Sequence, residues 1–178
     1  MTDKELINGC LKNDRKSQKA LFDKYANKMK SVCLRYSGNN EDAEDILQDG
    51  FILVFKNLQN FKHEGALEGW IYRIMMNTAL RFIKKKKNIF FENIDNKANL
   101  TAKSTNIESQ LSTKELMDLL LKLPDGYRAV FNMYVIEGYS HKEIGKILDI
   151  KESTSRSQLA KAKIMLRSLV AQLYNNDE

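Results

Sequence analysis

An uninterrupted helical repeat of apolar residues is the feature of this sequence that most limits its possible folds. The 178 residues include one proline and eight glycines, and no segment of useful length alternates apolar and polar residues with a period of two. The clearest run has residues at i, i+3, i+4, i+7 and i+8, and consists of Ala43, Ile46, Leu47, Gly50, Phe51, Val54 and Leu58. This spacing puts them on one face of a helix. The sequence therefore predicts an all-α protein.

Further runs with helical spacing lie on both sides of a segment that lacks it. The first comprises Leu21, Tyr25, Met29, Val32 and Tyr36, the second Leu67, Trp70, Ile71, Ile74 and Thr78, and the third Leu111, Leu116, Leu119, Leu120 and Leu123. Residues 88–110, between the second and third runs, contain five asparagines and no sustained periodicity, which is typical of a linker. We predict two small helical domains, residues 1–87 and 111–174, joined by a flexible linker of residues 88–110.

The composition excludes several classes of protein. With 43% hydrophobic and 29% charged residues, the chain has enough apolar side chains to form a core, which excludes wholesale disorder. No apolar stretch approaches the roughly 20 residues needed to cross a bilayer, and the first residues lack a secretory pattern. Cys10 and Cys33 are too few for a disulfide framework, and His63 and His141 are better explained as a loop residue and a helix-start residue than as ligands. We expect a soluble cytosolic protein with no membrane insertion, metal or cofactor.

The C-terminal domain contains the pattern of a helix-turn-helix. Ser140 and Glu143 have the Ser-x-x-Glu spacing of a capping box, in which each side chain binds the backbone amide of the other residue. Asp149 stands in the turn, where many such motifs have glycine, and aspartate tolerates a left-handed backbone better than most residues. A second, longer helix is predicted from about Glu152 to Leu173.

The second helix of this motif has two distinct faces. The face opposite the apolar one is mostly small and basic, and carries Ser153, Arg156, Ser157, Ala160, Lys161, Ile164 and Arg167. Cations interleaved with small side chains can enter the major groove of DNA. A solvated basic face is the alternative. Because a capped helix and a turn precede the second helix, as in a helix-turn-helix, we favour the interpretation that its basic face binds DNA.

The predicted helix from Leu67 carries a basic face that leaves two interpretations open. Arg73, Asn77 and Lys84 lie on one side, and three more lysines follow Lys84. Cations, an amide and flat apolar groups suit a single strand with unstacked bases. Alternatively, the lysines only complement the negative end of the helix dipole.

The acidic start of the helix from Ala43 allows three interpretations. Asp42, Asp45 and Asp49 lie along one side of the helix and are carboxylates of the kind that bind Mg²⁺. They also suit the positive end of the helix dipole, or a docking surface for a basic protein. The absence of a nearby histidine, second carboxylate cluster or glycine-rich loop disfavours the metal site.

Two long segments resemble a known family. Residues 42–61, DAEDILQDGFILVFKNLQNF, with residues 65–87, GALEGWIYRIMMNTALRFIKKKK, resemble the second conserved region of bacterial sigma-70 superfamily factors. Residues 123–166 resemble their fourth region. With no room for other conserved regions, the chain is similar to the small extracytoplasmic-function (ECF) group. The resemblance implies a factor that is not an enzyme, and that binds core RNA polymerase and directs promoter-specific initiation of transcription.

The resemblance also implies roles for individual residues. Contacts with the β′ clamp helices of core polymerase are expected from Asp45, Gln48 and Asp49. Melting of the −10 element and capture of its non-template strand are expected from Phe61, Trp70, Arg73, Asn77, Arg81 and Lys84. Recognition of the −35 element as duplex DNA is expected from Thr154, Arg156, Ser157, Gln158 and Lys161. The helix of residues 125–137 would meet the polymerase β flap. An anti-sigma factor is a further partner, for which Met75, Met76 and Leu80 are expected to form an exposed apolar patch.

Four positions depart from the commonest family pattern. Ser155 stands where a β-branched residue is usual and is expected to face inward. Gln158 and Ala160 replace residues that are frequently larger or basic, and Gly50 stands where threonine or alanine is common. Two other functions compete with the sigma-factor interpretation. A conventional helix-turn-helix repressor or activator leaves the acidic and basic N-terminal helices unused, and a nuclease requires metal-dependent cleavage.

Overall fold

The computed structural model describes residues 1–62, 64–86 and 112–175. Within these ranges the regular structure is helical and includes no strand, as the all-α prediction requires. The chain divides into two compact units, Met1–Phe82 and Ile83–Glu178. The predicted linker of residues 88–110 and the predicted loop residue His63 lie outside the described residues.

The first unit is built from helices that follow one another through short turns. They are α1 (Asp3–Leu11), α2 (Arg15–Ser37), α3 (Asn40–Asn57), which continues into a 3₁₀ turn, and α4 (Leu67–Lys85), which belongs to this unit up to its final turn. The apolar runs predicted α2, α3 and α4. Helix α1 was not predicted, because its buried apolar residues are only Leu6, Ile7 and Cys10, which do not form a sustained run.

Side-chain caps set the ends of these helices. Thr2 forms a capping box at the start of α1. Asp14 accepts a hydrogen bond from the backbone amide of Ser17 at the start of α2, at 3.0 Å. Helix α2 ends at Gly38, whose φ of 83° is left-handed, and Asn39 then caps α3. Residues that satisfy the free amides at helix starts thus separate successive helices.

The core of the first unit contains the apolar residues of the predicted runs. Its buried members include Leu21, Tyr25, Met29, Val32 and Tyr36 of α2, Ala43, Ile46, Phe51 and Val54 of α3, and Ile71 and Met75 of α4. A Cβ atom added to Gly50 would lie 2.2 Å from the sulfur of Met75. Gly50 therefore allows α3 and α4 to approach closely, which is a physical reason for glycine at this position.

The second unit contains the predicted helix-turn-helix. Its helices are α5 (Thr113–Leu121), α6 (Asp125–Phe131), which continues into a π turn (Asn132–Ile136), α7 (His141–Leu148) and α8 (Glu152–Asn175). Helices α5, α6 and α8 share an apolar core that contains Leu120, Leu123, Tyr127 and Ala162. The partly buried side chains of Phe131, Met165 and Leu166 pack against this core.

Local geometry confirms the capping and turn chemistry predicted for the motif. Ser140 and Glu143 form the predicted capping box at the start of α7. Asp149 ends α7 in the left-handed region, with φ 55° and ψ 50°. A Cβ atom added to Gly145 would lie 2.9 Å from the carbonyl oxygen of Ile150, so only glycine lets the turn pack this closely on α7.

The expected apolar patch on α4 is wrong. Met75 is completely buried, and Met76 and Leu80 are 7% and 6% exposed. These three side chains therefore offer no surface to a partner in this conformation. The large apolar side chains that do reach solvent include Ile52 on α3 and Tyr134, Val135 and Ile136 on the π turn.

Candidate nucleic-acid interface

The first turns of α8 separate buried from exposed side chains as the helical spacing predicted. Ser155, Leu159 and Ala162 are buried. Ser153, Arg156, Ser157 and Ala160 are exposed, and Lys161 is half-buried. The exposed face thus combines two long cations with small side chains that do not obstruct close approach to a groove.

Two predicted contact residues are engaged by their own helix. The guanidinium of Arg156 donates to the carboxylate of Glu152 at 2.5 Å, and both side chains are largely exposed. The hydroxyl of Ser157 donates to the carbonyl oxygen of Thr154 at 2.9 Å. Arg156 is therefore oriented along the helix surface by a solvent-exposed ion pair, which is weak enough to be exchanged for a phosphate or a base.

The structure corrects the role of Gln158. Its side chain is only 4% exposed, and within the described part of the chain its Oε1 atom has no hydrogen-bond partner. Gln158 lies three residues after Ser155 and four before Ala162, which puts it on the buried side of the helix. A side chain in this position cannot reach a base edge, so Gln158 is not a direct DNA contact in this conformation.

A contact that sequence reasoning missed joins α7 to α8. The Nδ1 atom of His141 and the hydroxyl of Ser155 share a hydrogen bond of 2.9 Å. The ring of Tyr134 stacks on the His141 ring, with centroids 4.4 Å apart and planes 19° from parallel. Burial, with a smaller effect of the Arg156 cation, lowers the pKa of His141 below its ordinary value. The inward serine noted above was the only signal in the sequence for this contact.

In the first unit, the loop before α4 and the first turns of that helix enclose a cavity. Its volume is about 370 Å³, and its lining includes Phe61, Lys62, Gly65, Gly69, Trp70 and Arg73. The rings of Phe61 and Trp70 are in contact, with centroids 5.4 Å apart. Two aromatic rings beside two cations suit a flat, electron-rich group that is attached to a phosphate.

The residues predicted to hold a single strand fall into two sets. Phe61, Trp70 and Arg73 come together in the cavity. The others, Asn77, Arg81 and Lys84, are exposed along α4 beyond it. A strand that enters the cavity with one base can therefore continue along a basic helix.

The acidic residues of α3 lie on its exposed side. Asp45, Gln48 and Asp49 are all exposed, and Ile52 follows them at 62% exposure. Asp42 accepts a hydrogen bond from the side-chain amide of the capping residue, Asn39. In the ranges that the structure describes, no three His, Cys, Asp or Glu residues are grouped so that they could hold a metal ion.

The remaining sequence candidates are the two thiols. Cys10 and Cys33 are both unpaired and buried. Burial raises the pKa of Cys10, and it raises the pKa of Cys33 to about 12. Both side chains therefore remain neutral thiols at physiological pH. Among the described helices, none has the length and apolar character of a membrane span.

Family models match both units. The Sigma-70 region 2 model matches residues 21–89, and the Sigma-70 region 4 model matches residues 113–166. The first match includes the cavity, the basic face of α4 and the acidic face of α3. The second includes the helix-turn-helix and the Tyr134–His141–Ser155 contact.

Three curated proteins with similar sequences are named as ECF RNA polymerase sigma factors. The ECF RNA polymerase sigma factor SigW of Bacillus subtilis is 30% identical over 97% of this chain and 99% of its own length. The ECF RNA polymerase sigma-E factor of Haemophilus influenzae is 26% identical over 97% of each chain. The ECF RNA polymerase sigma factor SigE of Mycolicibacterium smegmatis is 34% identical over 85% of this chain, which spans 60% of that protein.

Two solved complexes are among the structures to which the chain is similar. CnrH, in complex with the cytosolic domain of CnrY, is 17% identical with a TM-score of 0.49, covering 96% of this chain and 97% of CnrH. The sigma factor RpoE of Bartonella quintana, in complex with the anti-sigma factor NepR, is 17% identical with a TM-score of 0.48, covering 86% of this chain and 96% of RpoE.

Proposed function

This chain belongs to the sigma-70 family, in its extracytoplasmic-function group, and from that premise we propose that its two units read separate parts of a promoter. A member of this family is a transcription initiation factor and not an enzyme. Its partners are core RNA polymerase and promoter DNA, with an anti-sigma factor as a regulator, and its location is the cytoplasm. Family membership also decides against the repressor and nuclease interpretations.

The second unit reads the −35 element as duplex DNA. Support comes from the first turns of α8, where Arg156 and Ser157 are exposed, Lys161 is half-buried, and the neighbouring side chains are small. Arginine and lysine can bind the major-groove edge of guanine or neighbouring phosphates. Thr154 is half-buried and suits a phosphate contact at the start of the helix.

The first unit captures the non-template strand of the −10 element. The supporting observation is the cavity between Phe61, Trp70 and Arg73, which can hold one unstacked base between aromatic and cationic groups. Asn77 and Lys84 then follow the strand along α4, where an amide can read a base edge and a cation can bind phosphate. Taking a base out of the stack costs a few kcal/mol, which the cavity contacts offset.

Two further surfaces bind core polymerase. The exposed side of α3, with Asp45, Gln48 and Asp49, docks on the β′ clamp helices. The π turn after α6 exposes Tyr134, Val135 and Ile136 and meets the β flap. Within each unit, the residues of the polymerase surface differ from those of the DNA surface, so the two partners do not compete for the same side chains.

The observation that carries the proposal is that the region 2 match falls mostly in the first folded unit and the region 4 match falls in the second, and each unit exposes cations on one helix. Since each unit alone offers few phosphate contacts, the free chain should bind promoter DNA weakly. Purified chain should direct core polymerase to start RNA at discrete sites in genomic fragments. Core polymerase alone is the control, and equal initiation with and without the chain would refute the proposal. Equally tight, specific gel shifts by the free chain would refute the division of binding between the two units.

A further inference from the structure

His141 holds together three elements of the second unit. It is the first residue of α7, it shares a 2.9 Å hydrogen bond with Ser155 of α8, and its ring is stacked on Tyr134 of the π turn. His141 and Ser155 are both buried, at 9% and 0% exposure. A polar pair therefore occupies the inner side of the helix-turn-helix at the start of the predicted recognition helix.

The position of Ser155 links this pair to DNA reading. Ser155 immediately precedes Arg156 and lies two residues before Ser157, so the three residues belong to one helical turn. Any rotation or shift of that turn moves the tip of the long Arg156 side chain. The contacts that hold the buried Ser155 in position therefore also determine the positions of Arg156 and Ser157 on the exposed side of the turn.

A hydrogen bond fixes the turn in a way that an apolar contact does not. Apolar packing is non-directional, whereas a hydrogen bond weakens steeply when its distance or angle departs from the favourable range. The stacked Tyr134 ring restrains the plane of the imidazole and hence the direction of its Nδ1 atom. The bond to Ser155 therefore has a defined direction as well as a defined length.

We propose that His141 is a positioning residue for −35 recognition, which acts through Ser155 to set the orientation of the first turn of α8. This inference rests on the proposed reading of duplex DNA by that helix. It assigns a role to two buried side chains that themselves touch no DNA. It also explains how a recognition helix with an inward serine keeps a defined position.

The test measures discrimination by holoenzyme, assembled from the full chain and core polymerase. The probes are a promoter duplex that the wild-type holoenzyme selects from genomic DNA, and the same duplex with its −35 block scrambled. The ratio of the two affinities reports −35 reading. A general loss of DNA affinity would weaken binding to both duplexes in the same proportion and leave the ratio unchanged. A urea midpoint equal to that of wild type excludes loss of folding as the cause of a lower ratio.

Substitutions of Ser155 and His141 distinguish the effect of their hydrogen bond from the effect of the ring stacking on Tyr134. Ser155→Ala removes the hydroxyl, and alanine favours the helix, so this variant should fold. His141→Phe keeps a ring to stack on Tyr134 but removes the bond. Each should lower the affinity ratio roughly five- to tenfold, at the lower end of what one base contact contributes. The double variant should lose no more than either single variant, because both changes remove the same interaction.

Two variants serve as controls. Ser155→Thr keeps the hydroxyl and should keep the ratio within about twofold of wild type. Ser168→Ala makes the same chemical change more than three turns further along α8 and should leave the ratio unchanged. An unchanged ratio in both Ser155→Ala and His141→Phe, or an equal loss of binding to both duplexes, would overturn the inference.

Failure of the inference and failure of the proposed function give different results. Arg156→Ala should lower the ratio whatever the role of His141. If Arg156→Ala keeps full discrimination, the proposed reading of the −35 element by α8 is wrong, and the inference fails with it. If Arg156→Ala loses discrimination while the His141 and Ser155 variants keep it, only the inference fails.

Discussion

Arg156 shows how much about a predicted contact residue follows from its position along the helix. Its place on the exposed face follows from helical spacing alone, since Ser155 and Leu159 on either side of that face are buried. Its ion pair with Glu152 follows from the i, i+4 spacing. The same spacing places Gln158 inside, but its polar character and the family resemblance led to the opposite prediction. For these two residues, position along the helix predicted the burial of the side chain more reliably than residue type did.

Replacing Glu152 with glutamine should strengthen binding to DNA. The change frees Arg156 from its intrahelical partner and removes a negative charge from the surface that faces phosphates. Because exposed ion pairs contribute at most about 1 kcal/mol, the affinity gain of holoenzyme for a promoter duplex should be up to about fivefold. Asp118→Asn makes the same charge change at an exposed residue of α5 and is the control. Equal gains in both variants, measured by fluorescence anisotropy, would show that only net charge matters.

Replacing Gln158 with methionine should stabilise the second unit without changing promoter choice. The substitution keeps the length of the side chain and removes a buried oxygen that has no partner in the described residues. Relief of that unsatisfied group should raise the free energy of unfolding by about 1 kcal/mol. Urea denaturation measures the stability, and selection of promoter fragments by holoenzyme measures the preference. A changed preference would restore Gln158 to the set of direct contacts.

At the scale of elements, the sequence predicted what local chemistry determines. Capping at Ser140 and the left-handed turn at Asp149 depend on residues a few positions apart, and both were confirmed. The cavity beside Trp70 and the stack of Tyr134 on His141 depend on how separate elements pack. No periodicity encodes such packing, so these features required the structure.

Replacing Gly145 with alanine should disrupt the helix-turn-helix. The added methyl group would lie 2.9 Å from a backbone oxygen, that of Ile150, which cannot move away unless the turn opens. We expect a loss of about 1–3 kcal/mol in the free energy of unfolding, together with weaker −35 discrimination. Gly69→Ala in α4 is the control, because its added methyl group has no heavy atom within 4 Å. If urea denaturation showed equal stability for the two variants, the packing of this turn would be looser than the structure indicates.

Acid should destabilise the second unit through His141. Its pKa is lowered in the folded chain, so the unfolded chain takes up this proton first as the pH falls. The stability contributed by the neutral ring is complete above the ordinary pKa of about 6.5 and is lost as the pH falls below it. Tyr134 faces the ring from the π turn, and the charges that act on it are Glu152, Arg156 and Lys163 of α8. We therefore expect the urea midpoint to fall more between pH 7.5 and pH 5.5 for wild type than for His141→Asn. Equal falls in the two proteins would show that His141 is not the source of the acid sensitivity.

At the scale of the whole molecule, the proposed function requires two units that each offer few phosphate contacts to act together. The chain carries a net charge of +6 and has a pI near 9.2, which favours encounter with nucleic acid but does not select a sequence. In the proposed function the two units supply the sequence selection, and polymerase strengthens it by holding both on one promoter, because linked contacts act at a high effective concentration. The predicted domains of 1–87 and 111–174 remain a prediction in their details, since their boundaries border residues that the structure does not describe.

Joint replacement of Asp45 and Asp49 with alanine should weaken assembly with core polymerase and spare direct DNA binding. The two carboxylates lie on the exposed side of α3 and are not part of the cavity lining. Competition against a labelled wild-type chain for core enzyme should fall by about tenfold, which corresponds to the loss of ~1.4 kcal/mol. A double variant of Asp23→Ala and Asp118→Ala has the same change in charge at other surfaces. Equal competition by the two double variants would place the polymerase contact elsewhere.

The burial of both native cysteines has a practical consequence. Cys10 and Cys33 are covered by the fold and stay protonated, so maleimide dyes will react with them slowly in the native protein. A cysteine introduced at an exposed site such as Lys142 can then be labelled selectively without first removing the native ones. A fluorophore at that site would let single-molecule experiments follow when the second unit engages upstream DNA during assembly of the initiation complex.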